Sequence, residues 1–235
     1  MLGIDIGGTK IRIIFVNKKR ILRSYTVPTP KSKKAFIKLI CGLYNSRQNN
    51  LIGVGVAGVI KKFKVIFSPN ISYLRNFDFC MIFKKAIISV DNDARCFART
   101  ECTLGAGKKF RKLFAITIGT GIGRAYAEKR VVKKIKNFEY PEPWEKEYQR
   151  IRDGGDDKEL AFFLGKKLFK LTSPYRPTAL VIGGGVLERK LIIPLLRQEL
   201  QKRGFLGRIL CSRFRKNAVA IGAVLTHKFQ KPIGL

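Results

Sequence analysis

The chain has 235 residues, 46% of them hydrophobic, enough for one large domain or two small ones with real cores. It contains no run of about 18 apolar residues to span a membrane, and no basic start with an apolar block behind it to mark a signal peptide. Its 48 Lys and Arg against 16 Asp and Glu leave a net charge of +32, a field that draws in any polyanion without a dedicated site.

The basic residues are spread along the whole chain and carry no RNA-binding signature with interleaved aromatics. Non-specific electrostatic contact with nucleic acid is therefore expected, and a specific nucleic-acid partner is not. Cys41, Cys80, Cys96, Cys102 and Cys211 are odd in number and form no Cys-x-x-Cys pair, which reads as the reduced thiols of a cytoplasmic protein. With His227 as the single histidine, no Cys/His zinc site is expected.

The first predicted element is a hairpin, "MLGIDIGGTKIRIIF". Leu2, Ile4 and Ile6 alternate with Gly3, Asp5 and Gly7, and Ile11, Ile13 and Phe15 alternate after the turn, which is the period of strands. Gly7 and Gly8 allow a tight bend whose amides a ligand can approach. A carboxylate beside such a bend suits a metal-bound polyphosphate, with amides toward the phosphate and Asp5 toward its cation. An ordinary hairpin with a surface aspartate fits this stretch equally well.

A third strand, "ILRSYTV", stops at Pro28 and Pro30. Phe36, Ile37, Ile40 and Leu43 give "KSKKAFIKLICGLYNSR" the period of an amphipathic helix. "LIGVGVAGVI" reads as a buried strand with a glycine-rich turn, "KVIFSPNISYLRNF" as a short strand and loop, and "CMIFKKA" as a short helix. The strand "IISV" leads into "DNDARCFARTECTLGAG", a helix starting near Asn92 and ended by Gly105 or Gly107.

"KLFAITIGTGIGRAYAE" repeats the opening theme about 110 residues later, with a threonine, Thr120, again in a glycine-rich bend, which suggests two related lobes. The expected division is an N-terminal lobe over 1–107 and a C-terminal lobe over 108–235. Next comes an acidic segment holding Glu139, Glu142, Glu145, Glu147, Asp153, Asp156, Asp157 and Glu159, eight of the chain's 16 acids. It should dock on a basic surface of the protein or form a solvated loop and helix start, with Trp144 as its anchor. "DGGDD" lacks the alternating ligands of a calcium loop. The helix "ELAFFLGKKLFKL", the strand "TALVIGGGV", the helix "LLRQELQKRG", the strand "RILC" and the helix "NAVAIGAVLTHKF" complete an α/β pattern.

With "DIGGTK", "DNDA", "GTGIG" and "VIGGGV" in this order, the chain resembles the ROK family (repressor, open reading frame, kinase) of sugar kinases and their relatives. The resemblance implies the α/β, two-lobed actin-like ATPase (ribonuclease H-like) fold, with Mg-ATP in a cleft between the lobes. It implies transfer of the γ-phosphoryl group to a hydroxyl of a sugar or sugar-like small molecule. Asp5 would face Mg²⁺ through water while Gly7, Gly8 and Thr9 hold terminal phosphates. Gly119, Thr120, Gly121 and Gly123 would form the matching phosphate loop, and Gly183, Gly184 and Gly185 would pass close to the adenosine. Asn92 would bind a sugar hydroxyl, Asp93 would be the catalytic base, and Asn70 of "SPN" is a further sugar-side candidate. Phosphoryl transfer asks for little more than charge neutralisation, amides on phosphate oxygens and one carboxylate for the attacking hydroxyl.

The chain departs from the family on the acceptor side. The family's Gly-Glu-x-Gly-His segment, cysteine-rich zinc loop and further glutamate are missing, so no zinc is expected, and Glu139 is the nearest stand-in for the sugar-binding glutamate. Arg124 stands where the family tends to glycine, pointing either to solvent or toward a γ-phosphate. The chain begins at the first hairpin, with no DNA-binding helix-turn-helix ahead of it, so a repressor is not expected. The rival expectation is a non-catalytic nucleotide or sugar sensor, and behind it a nucleic-acid-associated basic protein. A homodimer is compatible with either, and no membrane partner is expected.

Overall fold

The computed structural model describes residues 1–17, 20–45 and 51–226, so His227 and the last residues of the closing segment lie outside the described chain. In chain order the elements are β1 (Leu2–Ile6), β2 (Lys10–Asn17), β3 (Arg20–Pro28), α1 (Lys33–Asn45), β4 (Leu51–Val56), β5 (Val59–Lys61), β6 (Lys64–Phe67), β7 (Phe77–Asp78), β8 (Ile87–Asn92) and α2 (Asp93–Thr103). They continue with β9 (Lys112–Ile118), β10 (Ile122–Glu128), β11 (Val131–Lys133), α3 (Glu145–Gly154), α4 (Asp157–Thr172), β12 (Ala179–Gly183), α5 (Ile192–Lys202), β13 (Arg208–Cys211) and α6 (Ala218–Leu225). Among the described residues no helix is long and apolar enough to cross a membrane.

The chain divides into two compact units, Met1–Thr100 together with the segment from Lys216, and Glu101–Arg215. The boundary lies at Thr100/Glu101, and the last helix is part of the first unit. Each unit carries a five-stranded sheet of the same construction. The strand orders are β3-β2-β1-β4-β8 and β11-β10-β9-β12-β13. In both, the first three strands in sequence are antiparallel neighbours, and the next two join parallel to the first. A parallel strand needs a crossover, which α-helices supply except between β4 and β8, where the small sheet β5-β6-β7 does. The repeat seen in the two glycine-rich hairpins therefore extends to the whole topology of each sheet.

In the first unit the period of β1 divides its side chains between two faces. Leu2, Ile4 and Ile6 enter one core cluster with Phe36 and Ile40 of α1. The opposite face carries Gly3, and β4 adds Gly53 and Gly55. A β-carbon on Gly3 would lie 2.5 Å from the Ala220 carbonyl oxygen, and one on Gly53 would lie 2.3 Å from that of Ala223. Gly3 and Gly53 therefore let α6 lie backbone-to-backbone against the sheet, and Gly55 makes room for the Val219 side chain. This is why the closing helix, built of alanine, glycine and β-branched residues, packs into the first unit. The second unit has its own core, in which Phe114 and Ile116 of β9 meet Leu164 and Leu168 of α4 and Leu196 and Leu200 of α5.

Two local expectations differ from the structure. "CMIFKKA" is not a helix; a single 3-10 turn, Phe79–Met81, suffices, capped by Asp78 accepting from the Cys80 amide at 2.9 Å. That one turn already stacks Phe79 on Phe83 inside the core. The acidic segment is not a solvated loop, since it contains all of α3, with Tyr148 and Ile151 buried.

Candidate functional site

In the first unit the parallel strands run in register, placing Ile6, Val56 and Asn92 side by side on β1, β4 and β8. Neighbouring strands lie about 4.8 Å apart, so the segments leaving these three residues gather at one end of the sheet. Those segments are the Gly7-Gly8-Thr9 bend, the turn at Gly58, and Asp93 as the first residue of α2. Ligand sites of open α/β sheets form at such carboxyl ends.

The bend is fixed from outside. The Gly7 amide donates to the Lys10 carbonyl at 3.1 Å, the Thr29 amide to the Thr9 carbonyl at 3.0 Å, and the Thr29 hydroxyl to the Gly7 carbonyl at 2.6 Å. Asn70 lies against it, because a β-carbon on Gly8 would sit 2.7 Å from that of Asn70. Asn70 is itself exposed.

Asp5 is 6% exposed and its carboxyl is pushed up to about 7, first by burial and then by the neighbouring Asp93, with Arg12 opposing the rise. Arg12 is its cross-strand partner in the hairpin and donates through Nη1 to Oδ2 at 3.3 Å. The Arg12 Nε is buried with no partner among the described residues. Asp93 is half-buried, its carboxyl also pushed up by burial, and Oδ1 accepts from the Ala94 amide at 2.8 Å. Two carboxyls, both raised by burial, at the end of a sheet favour a hard cation. Asn92 beside them is buried and holds local structure. Its Nδ2 donates to the Gly58 carbonyl at 3.0 Å, and its Oδ1 caps α2 through the Arg95 amide at 3.2 Å.

Behind this edge Asp91 accepts from Arg95 Nε and Arg99 Nη2, each at 2.6 Å. Burial alone would raise the Asp91 carboxyl, and the two guanidinium groups more than reverse it. Arg99 also donates to Thr226 Oγ1 at 2.7 Å, tying α2 to the end of α6. The start of α2, and with it Asp93, is thus held by ionic contacts on its inner side.

In the second unit β9 and β12 run parallel with Thr117 beside Gly183. Their ends bring the Gly119–Gly123 loop and the Gly183–Gly185 turn together, and a β-carbon on Gly119 would be 4.0 Å from the Gly185 amide nitrogen. Gly184 has φ of +90°, and a β-carbon there would fall 2.4 Å from the Ile118 carbonyl oxygen. Only glycine satisfies both conditions.

Arg124 neither points to solvent nor projects from the loop. It is 1% exposed, with Nη1 at 2.9 Å from a Glu142 carboxylate oxygen and Nη2 donating to the carbonyls of Asn137 and Tyr140. Glu139 is buried within the turn held in this way. Other acids of the segment are also engaged inside the unit. Glu145 accepts from the Ile122 and Glu142 amides, Asp156 caps α4, and Asp157 pairs with Arg189. Trp144 anchors the segment edge-on against Phe163 at 5.9 Å.

Sequence reasoning missed Arg12, and with it the α3 residues Tyr148, Gln149 and Arg152, which contact the loop carbonyls. Both signals were present. Arg12 mirrors Asp5 about the centre of the hairpin, and Glu145, Tyr148, Gln149 and Arg152 fall at i, i+3, i+4 and i+7, one helix face.

Comparison with known proteins gives these features a setting. The sequence model described as "ROK family" matches residues 1–130. The glucokinase of Streptomyces coelicolor is 32% identical over 136 residues, covering 52% of this chain and 41% of that protein. The N-acetylgalactosamine kinase of Shewanella sp. (strain ANA-3) is 28% identical over 137 residues, covering 52% and 42%. The matched stretch thus spans about two fifths of the length of these curated relatives. Among solved structures, a ROK family glucokinase from Streptomyces griseus, in complex with glucose and AMPPNP, superposes with a TM-score of 0.81 at 22% identity, covering 97% of this chain and 99% of that one. The fold is accordingly the expected two-lobed actin-like ATPase fold, and with the family match over more than half its length, this chain belongs to the ROK family.

Proposed function

We propose that this protein is an ATP-dependent kinase that transfers the γ-phosphoryl group to a hydroxyl of a sugar or sugar-like small molecule. The observation that carries this reading is the pairing of Asp5 and Asp93 at the carboxyl end of the first unit's sheet, beside the Gly7–Thr9 bend. Gly7, Gly8 and Thr9, with Gly119, Thr120, Gly121 and Gly123, would hold the phosphates, and Gly183, Gly184 and Gly185 would lie along the adenosine.

The donor set suits Mg²⁺, which takes one or two carboxylates and fills its remaining positions with phosphate oxygens and water. Asp5 would hold it through water, and the ion would supply neutralisation of the phosphate charge. Asp93 accepts the proton of the attacking hydroxyl. Its raised carboxyl suits that task, because a base works best when its proton affinity approaches the working pH. Asn70, which lies against the Gly8 bend, would contact the acceptor.

The test is ATP consumption by the purified protein over a panel of sugars, aminosugars and nucleosides, with Asp93→Asn as the companion. The cap of α2 is Asn92, which this variant leaves in place, so folding and Mg-ATP binding should survive. Turnover should fall by about 10²-fold or more, the scale of losing a general base. Near-normal turnover by the variant would sink this mechanism. A second reading, a non-catalytic nucleotide or sugar sensor, is favoured by one observation: the Asn92 side chain is already spent on Gly58 and Arg95. It takes precedence if the wild type binds Mg-ATP yet phosphorylates nothing in the panel.

A further inference from the structure

We propose that α3 sets the anion-binding geometry of the Gly119–Gly123 loop, with Tyr148 and Arg152 as positioning residues that turn the Thr120 and Gly121 amides outward. This rests on the proposal that the loop receives ATP phosphates. Four side chains on one face of α3 spend their polar groups on the backbone of this short loop. The Gly119 carbonyl accepts from Tyr148 Oη at 2.6 Å and from Arg152 Nη1 at 2.7 Å. The Thr120 carbonyl accepts from the same Arg152 Nη1 at 3.0 Å and from Gln149 Nε2 at 3.1 Å. Glu145 Oε2 takes the Ile122 amide at 3.2 Å.

In a planar trans peptide, C=O and N–H point in opposite directions. With the Gly119 and Thr120 carbonyls drawn onto α3, the Thr120 and Gly121 N–H groups leave on the far side of the loop. Neither amide has a hydrogen-bond partner among the described residues. Two adjacent outward amides form an anion-binding concavity. Donation to each carbonyl also polarises its peptide and makes the opposite N–H a stronger donor.

The helix is itself immobilised at both ends. Arg124 stands 3.8 Å from Glu145 and 2.9 Å from Glu142 at the start of α3. At its end, Arg189 donates to the carbonyls of Arg152 at 3.1 Å and Gly155 at 2.6 Å. Arg152 is held in place by Asp153, through contacts of 2.8 and 3.1 Å, and stacks 5.4 Å from the Tyr148 ring centroid. The helix of the acidic stretch thus backs the Gly119–Gly123 loop.

Isothermal titration of the full chain with Mg-ATP and separately with adenosine tests this, comparing wild type, Tyr148→Phe and Arg152→Met, with thermal unfolding to confirm folding. The loss should fall on the phosphates alone. Arg152→Met should weaken Mg-ATP by about tenfold or more and Tyr148→Phe by about threefold, with adenosine changed by less than about twofold. Tyr148→Phe removes one hydroxyl only, so it carries the test if Arg152→Met does not fold. Equal losses for both ligands would reduce α3 to a structural prop and overturn the proposal, as would no loss for either. If the wild type binds neither ligand, the kinase reading falls and this inference with it. If the wild type binds Mg-ATP and the variants match it, the inference alone fails.

Discussion

Replacing Asp5 by Asn should stabilise the nucleotide-free protein at neutral pH while weakening its hold on Mg-ATP. The Asp5 carboxyl stands at about 7 in the folded chain against an ordinary value of 3.8. That difference corresponds to about 4 kcal/mol between the charged and neutral forms. The folded protein keeps a proton that the unfolded chain gives up, so stability is fully present below about pH 4 and is lost as pH rises toward about 7. Asn copies the neutral acid and escapes this loss. Arg12 gives up its charged partner, but its side chain is 31% exposed and can hydrate instead. A net gain of about 2 kcal/mol at about pH 8 then raises Tm by roughly 4–8 °C for a chain of this size. Thermal unfolding of both forms at about pH 4 and about pH 8 checks the sign, since the difference should nearly vanish at the acid end. Saturating Mg-ATP should reverse the order, because the wild type alone offers the cation a carboxylate here. An Asp5→Asn variant less stable than wild type at about pH 8, or a difference unchanged between the two pH values, would refute the reasoning.

Two further outcomes are expected from other parts of the molecule. Gly222→Ala should cost about 3 kcal/mol in denaturant unfolding, because its β-carbon would lie 1.8 Å from the Cys96 carbonyl oxygen and force α6 away from α2; an unchanged midpoint would contradict that packing. The +32 charge should bind nucleic acid weakly and without regard to sequence, and most of that binding should be gone by about 0.3 M salt in a titration. Tight or sequence-selective binding above that salt would move the nucleic-acid reading forward.

The longer strands, the helices other than α3 and the two glycine-rich hairpins were legible in the sequence because each depends on its own residues. Alternation over Leu2–Ile6 and Ile11–Phe15 defines a hairpin wherever the chain goes, and the parallel motif around Thr120 announces the second sheet. The ordered motifs likewise pointed to the family that the comparisons show. Other readings, besides that of the α3 segment, were misjudged. "CMIFKKA" has helical spacing, yet one turn already brings Phe79 and Phe83 into the core. Arg124 looked like a free cation because its partners, Glu142 and the carbonyls of Asn137 and Tyr140, lie 13–18 positions farther along.

Composition and local period thus determined which elements form and which residue types line the bends. Tertiary structure decided what those residues do there. Gly3 and Gly53 could have been read as flexible or phosphate-binding glycines; they are needed because α6, about 170 residues or more farther on, must approach the strands at backbone distance. The same holds for Tyr148 and Arg152, whose roles exist only once α3 lies behind the Gly119 and Thr120 carbonyls. Period and propensity act over a few residues, whereas close packing and hydrogen-bond partnership join groups far apart in the chain. Those contacts come into being only when the chain has folded.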